Sequence, residues 1–119
     1  MDPSDLHSEV QSAFNSGDVD ALVSLYESDA WFVTIDGPVR GHDAIRAAWE
    51  GILAMSDHVE MVTQYAIENG NLALLSNRWT GAIGGETVSA TTAEVARRQA
   101  DGTWKYVIDN PDAAGILAG

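Results

Sequence analysis

Two acids fall where acids are costly. Glu94 sits in the middle of Thr91-Thr92-Ala93-Glu94-Val95-Ala96, a stretch that otherwise has the composition of a strand interior. Asp109 closes the run Trp104-Lys105-Tyr106-Val107-Ile108, just before Asn110-Pro111. A carboxyl carried into an apolar pocket holds its proton more tightly, and becomes a candidate acid or hydrogen-bond donor. Two carboxyls in unequal surroundings can divide the work, one as acid and one as base. Both residues also have plainer uses. Glu94 could pair with Arg78 or face solvent, and Asp109 could cap the turn at Asn110-Pro111.

Around them lie residues that could shape a ligand site. Asn77 and Trp79 alternate with Ala73 and Leu75 along one strand face. An asparagine there could orient a carbonyl, and Trp79 could stack on a flat ligand or simply fill the core. Trp49, on the apolar face of a helix, has the same two uses. Of the histidines, His7 falls on an exposed first helical turn and His42 belongs to a helix start. His58 opens a strand near Asp57 and offers a weak relay. No His pair has i, i+4 or His-x-His spacing, so no metal site is read. Arg97 and Arg98 could clamp a carboxylate or balance neighbouring acids. Ser24, Ser76 and Ser89 lack a nucleophile elbow, and Gly84-Gly85 is a hairpin rather than a phosphate loop. No cofactor motif appears.

The chain has 119 residues, 45% of them hydrophobic, and no cysteine. That is one globular domain with a core of its own, assigned here to residues 1–111, with 112–119 as a C-terminal tail expected to fray. Its net charge of −12 repels phosphate backbones and anionic membrane surfaces, so nucleic acid is not an expected partner. No apolar run approaches the ~18 residues of a membrane span. The acidic start Met1-Asp2-Pro3-Ser4-Asp5 does not read as a signal peptide, and a cytoplasmic location is expected.

The elements that must position these residues are marked by turn chemistry. Pro3-Ser4-Asp5 starts a helix with the stripe Leu6, Val10, Ala13 and Phe14, ended at Gly17. Asp18 caps a second helix, with Val19, Leu22, Leu25 and Tyr26 on its inner side. A strand is expected over Ala30–Ile35, with Val39-Arg40 pairing back after Asp36-Gly37-Pro38. Gly41-His42-Asp43 opens a third helix that buries Ile45, Ala48, Trp49, Ile52 and Met55. Four strands follow, over Val59–Ile67, Leu72–Ile83, Glu86–Gln99 and Thr103–Asn110, with Asn69-Gly70, Gly84-Gly85 and Asp101-Gly102 as turns. This order predicts an α+β fold, a curled antiparallel sheet forming a cone around helices.

Three stretches carry a family likeness: Phe14-Asn15-Ser16-Gly17-Asp18-Val19-Asp20-Ala21-Leu22, Leu25-Tyr26-Glu27-Ser28-Asp29-Ala30 and Arg40-Gly41-His42-Asp43-Ala44-Ile45-Arg46. They resemble the ketosteroid-isomerase-like and SnoaL-like polyketide-cyclase families of the nuclear-transport-factor-2-like superfamily. The ending Arg98-Gln99-Ala100-Asp101-Gly102-Thr103-Trp104 with Ile108-Asp109-Asn110-Pro111 looks like that of uncharacterised ketosteroid isomerase homologues. The resemblance implies a cystatin-like α+β barrel with a pocket, and it covers nearly the whole chain. It does not carry steroid isomerisation. The isomerases' oxyanion tyrosine falls at Val10 and their aspartate base at Thr34 or Val33. Only their protonated aspartic acid keeps a carboxyl, at or near Glu94.

The resemblance also implies strand faces. It turns Leu75, Asn77, Trp79 and the Asp109 face inward and leaves the face of Trp104, Tyr106 and Ile108 for a dimer contact. The expected site is then a pocket lined by Thr34, Trp49, Leu75, Asn77 and Trp79, with Asp109 and Glu94 as the acid–base pair. The expected ligand is a small apolar, ketone-like molecule, handled by a cofactor-free isomerase, cyclase or dehydratase. The competing expectation is a non-catalytic ligand-binding or association module. Either would form a homodimer through the outer sheet face.

Overall fold

In the computed structural model, which describes residues 2–56 and 58–115, the apolar stripe of the first helix turns inward as its spacing requires. Helix α1 (Asp5–Asn15) buries Leu6, Val10, Ala13 and Phe14. Ser4 occupies its N-cap position in helical conformation and makes no side-chain cap bond. Gly17 takes the left-handed conformation (φ 69°) that turns the chain into α2 (Val19–Ser24). Asp18 caps α2, its carboxylate accepting from the Ala21 N–H at 3.0 Å.

Strand β1 spans Tyr26–Thr34 and begins four residues before the expected strand. Tyr26 therefore leaves the helix and pairs with Tyr106 instead. Tertiary pairing overrides the local helical pattern here. β2 (Gly37–Arg40) folds back on β1, and α3 (His42–Leu53) buries Ile45 and Trp49. Next come β3 (Val59–Asn69), β4 (Leu72–Ile83), β5 (Glu86–Thr91), β6 (Ala93–Arg98) and β7 (Trp104–Asn110). The sheet order is β2-β1-β7-β6-β4-β3, with β5 also on β4. All pairings are antiparallel except β1 with β7, which is parallel and curls the sheet back on its first strand. The sheet does not close.

The single strand expected over Glu86–Gln99 is two. It breaks at Thr92, whose hydroxyl takes the place of a ladder carbonyl by accepting the Asn77 N–H at 2.8 Å. The Thr92 N–H donates to the Asn77 carbonyl at 2.8 Å, and the Ser76 hydroxyl donates to the Thr92 carbonyl at 2.6 Å. The bend leaves β6 beside the lower half of β4 and β5 beside its upper half.

Two one-residue bulges decide the faces. Pairing runs Val95↔Ile108 and then Ala96↔Tyr106, so Val107 is extra in β7. Gln64 is extra in β3, between Thr63↔Asn77 and Tyr65↔Ser76. A bulge switches which residues share a face. Simple alternation predicts Tyr106 and Ile108 together, away from Asp109. Instead Trp104, Tyr106 and Asp109 are buried, and Ile108 is exposed. The inner face carries the cross-strand row Phe32–Asp109–Glu94–Leu75–Ala66, and the outer face carries Trp31–Ile108–Val95–Leu74–Ile67.

The helices cover the inner face. Trp49 is the hub of the core, edge-on to Phe14 (centroids 5.9 Å apart) and tilted against Phe32 (5.4 Å). The tail does not simply fray after Pro111. The Ala113 N–H donates to the Thr91 carbonyl at 2.9 Å, and Asp112, Ala113, Ala114 and Gly115 all line the cavity described below. The remainder of the expected tail, 116–119, lies outside the described residues. The two helix starts make a paired prediction. Asp18→Ala should lower stability by about 1 kcal/mol in urea denaturation, whereas Ser4→Ala should stay within about 0.5 kcal/mol, because only Asp18 holds a capping bond.

Candidate functional site

Between the curled sheet and α3 lies a cavity of about 1170 Å³. That is at the upper end for a small-molecule site. Its walls are mostly apolar, with Phe14, Phe32, Ile52, Met61 and Trp79 among them. Of the residues expected to form a pocket, Thr34, Trp49, Asn77, Trp79, Glu94 and Asp109 line it. Leu75 does not. It is fully buried in the core, one cross-strand position from Glu94. The Thr34 hydroxyl is turned to its own hairpin, donating to the Gly37 carbonyl at 2.8 Å. Trp79 is fixed in orientation by its indole N–H, which donates to the Pro111 carbonyl at 2.7 Å.

The two acids are direct cross-strand partners, Glu94 on β6 opposite Asp109 on β7. They are 1% and 7% exposed. Like charges placed directly opposite repel, and burial removes the water that would screen them. The conflict is resolved by unequal surroundings. Glu94 is neither solvent-facing nor paired with Arg78. Its Oε1 accepts from the Asn77 amide at 3.1 Å and lies 2.8 Å from His7 Nε2, and its Oε2 accepts from the Thr92 hydroxyl at 2.7 Å. Two side-chain donors and an imidazole nitrogen thus converge on its two oxygens. Asp109 has one protein donor, the Tyr26 hydroxyl at 2.5 Å, which is in turn 3.3 Å from the Trp49 indole N–H. Burial first, and then the neighbouring Glu94 charge, push the Asp109 carboxyl up to about 8, against the opposing pull of the Tyr26 hydrogen bond. Of the two carboxyls, Asp109 is the one whose surroundings favour keeping a proton. The family likeness carries the protonated acid to a position at or near Glu94, and Asp109 is the direct cross-strand neighbour of Glu94.

Two buried phenols lie beside the acids, of which Tyr106 lines the cavity and Tyr26 stands behind Asp109. Burial holds the Tyr26 hydroxyl well above the ordinary phenol range, reinforced by Asp109. Burial does the same to Tyr106, whose ring lies 5.2 Å from that of Tyr26, with Glu94 and Asp109 adding to it. Both stay neutral, so Tyr26 serves as a donor and not as a base.

His7 is the correction with the largest consequence. It was expected on an exposed turn, yet it is 2% exposed and reaches Glu94 across the α1–β6 gap. Its i+3 and i+7 neighbours, Val10 and Phe14, are both buried, so the apolar stripe of α1 extends back over it. Tyr26 was also missed as a site residue, because its placement depends on pairing with β7. His42 donates its Nε2–H to the Tyr26 carbonyl at 2.8 Å, which is a structural role. His58 is exposed, 3.8 Å from Glu60, and offers no relay to the cavity; the Asp57 of that expectation lies outside the described residues. Arg97 pairs with Glu27 at 3.0 Å, and Arg98 donates to the Asn71 side chain at 3.2 Å. Neither lines the cavity. Among the described residues, no group of three or more His, Cys, Asp or Glu is placed to hold a metal ion, and no helix is long and apolar enough to cross a membrane.

The raised Asp109 acid has a measurable sign. Between about pH 4 and about pH 8 the folded chain holds a proton that the unfolded chain releases, so stability falls as pH rises through that window. In urea denaturation the Asp109 contribution should approach, at most, about 1.4 kcal/mol per pH unit. Asp109→Asn should flatten the decline and be the more stable protein near pH 8.

Comparison with known proteins agrees with this architecture. Residues 8–107 match the model of the SnoaL-like domain. A protein assigned as a ketosteroid isomerase from Parabacteroides distasonis superposes with a TM-score of 0.75 at 22% identity, over 97% of this chain and 89% of that one. A ketosteroid isomerase-like protein from Erwinia carotovora atroseptica gives 0.73 at 15% identity, over 91% of each chain. A domain with a cystatin-like fold from Nostoc punctiforme gives 0.74 at 20% identity, over 89% of this chain and 71% of that one. No curated protein sequence matches. At these identities the structures speak to fold alone. With the family model spanning all but the two ends, the chain belongs to the SnoaL-like domain family.

Proposed function

We propose that this protein binds a flat, apolar carbonyl compound in its cavity and moves a proton on the carbon beside the carbonyl, as an isomerase, cyclase or dehydratase that uses no cofactor. One observation carries the reading. Two carboxyls stand opposite each other on adjacent strands at the wall of a largely apolar cavity, one neutral and one in an acceptor's surroundings. Such division is how a single fold runs acid and base chemistry together near pH 7.

In this reading the Asp109 O–H donates to the ligand carbonyl, and Tyr26 holds the other oxygen of that carboxyl in place. Glu94 takes the proton from the adjacent carbon. The C–H bond breaks, its electron pair moves toward the carbonyl, and Asp109 stabilises the charge that gathers on oxygen. Trp79 and Trp49 offer faces for a flat ligand. The same proton, returned to a different carbon, gives isomerisation.

The test is deuterium incorporation from D₂O beside the carbonyl, followed by NMR, over a panel of flat ketones, enones and aromatic polyketides that first raise the melting temperature. Asp109→Asn and Glu94→Gln should each slow exchange by about 10²-fold or more. Ligands that bind wild type and Asp109→Asn equally, with no exchange in either, would instead favour a non-catalytic binding module.

The outer face supports a homodimer as the assembled form. Ile67, Leu74 and Ile108 are exposed in one row across three strands, flanked by Trp31, over which Arg40 lies at 5.2 Å. An exposed apolar row of this kind is unusual on a monomer. Light scattering after size exclusion should give twice the chain mass for wild type and the single chain mass for Leu74→Glu, with the Leu74→Glu fold intact by circular dichroism.

A further inference from the structure

The carboxyl of Glu94 is also reached from behind the cavity wall. His7 lies on α1, outside the cavity lining, and joins two distant strands. Its Nε2 is 2.8 Å from Glu94 Oε1 and 3.3 Å from Oε2, and its Nδ1 is 2.7 Å from the Thr63 hydroxyl on β3. A buried imidazole needs a partner at each nitrogen, and here one of the two is a carboxyl at the cavity wall. The other ion pairs of Glu and Asp, to Arg40, Arg46, Arg97 and His58, lie on the surface. Among the described residues, His7 is the one ion-pair partner of Glu94.

Glu94 already accepts from Asn77 and Thr92, and we assign hydrogen to His7 Nε2 as a further donor to the same carboxyl. Nδ1 is then free to accept the Thr63 hydroxyl proton. This is the arrangement by which one hydrogen bond on an imidazole decides what its other nitrogen does. Thr63 pairs with Asn77 just before the bulge at Gln64 and so shares the inner face of that strand. The ionisable groups that face this cluster are Glu94 on β6, Asp109 and Tyr106 on β7, Tyr26 on β1, and Glu9 on α1 itself.

We propose that His7, oriented by Thr63, is a positioning residue that determines which of the two opposed carboxyls holds their shared proton: its Nε2–H keeps Glu94 the acceptor and so leaves the proton on Asp109. The proposal rests on the acid–base reading for its functional meaning. The proton's location, however, can be read without any substrate, so the two stand or fall separately.

The experiment is NMR on protein carrying ¹³C in the side-chain carboxyls and ¹⁵N in histidine. In wild type at pH 7, Asp109 should show the carboxyl shift of a neutral acid, Glu94 that of a carboxylate, and His7 a hydrogen on Nε2. His7→Leu should move the Glu94 signal toward the acid position and the Asp109 signal toward the carboxylate. His7→Gln, which restores an N–H donor, should return both toward wild type. In the exchange assay His7→Leu should lower kcat by about tenfold with little change in KM, and His7→Gln should recover most of it. Carboxyl signals unmoved in folded His7→Leu would overturn the proposal. So would a bare Nε2 in wild type, a result available even if His7→Leu does not fold. Displaced signals without any ketone turnover would uphold the proposal and remove the enzymatic reading alone.

Discussion

Two carboxyls cannot both be charged across one inter-strand spacing in a dry interior. At about 5 Å and an effective dielectric near 20, their repulsion is about 3 kcal/mol, several times the worth of a surface ion pair. Much of the inner face can be read as an answer to that conflict. Thr92 interrupts a strand and turns its hydroxyl to Glu94. Asn77 gives its amide to the same carboxylate. Tyr26 begins a strand early and closes on Asp109 from the other side. The asymmetry is thus built into backbone irregularities, not only into side-chain choice.

Those irregularities also divide what was legible in the sequence from what was not. The helices, the hairpin turns and the meander of the later strands were legible because apolar spacing and Gly or Asn-Gly turns are local signals, whereas the parallel pairing of β1 with β7 joins distant parts of the chain and was not. Glu94 and Asp109 were legible as candidates because acids are rare in strand interiors. His7 was not, since a histidine one turn into an amphipathic helix looks the same whether its partner is water or a carboxylate 87 residues away. The Val107 bulge was invisible too. Trp104-Lys105-Tyr106-Val107-Ile108-Asp109 alternates cleanly on paper, and only pairing with β6 reveals the extra residue. Family likeness brought Asp109 to the inner face but left Tyr106 on the wrong one. Thr92 read as ordinary strand composition, because threonine suits a ladder as well as it suits breaking one.

A domain of 119 residues has little apolar burial to spare. This one leaves a large hollow at its centre and surrounds it with buried polar groups that oppose folding unless each is partnered. The aromatic hub at Trp49, with Phe14 and Phe32 against it, concentrates packing at one wall of the cavity. Stability and pocket are therefore served by the same residue, whose indole N–H also reaches Tyr26.

The extra residue in β7 bears on how relatives of this protein are compared. Within the family, an acid in the same alignment column as Asp109 need not share its role. Keep every residue but lose the bulge, so that β7 alternates without interruption from Tyr106, and that column moves from the hollow to the outer surface; delete Val107 instead, and regular pairing leaves Asp109 opposite Glu94. The bulge is here a heritable trait with chemical meaning, because it decides whether an acid in that column faces the hollow. Ancestry inferred from matching letters and ancestry inferred from matching faces will disagree at this strand, and the faces are the record of function.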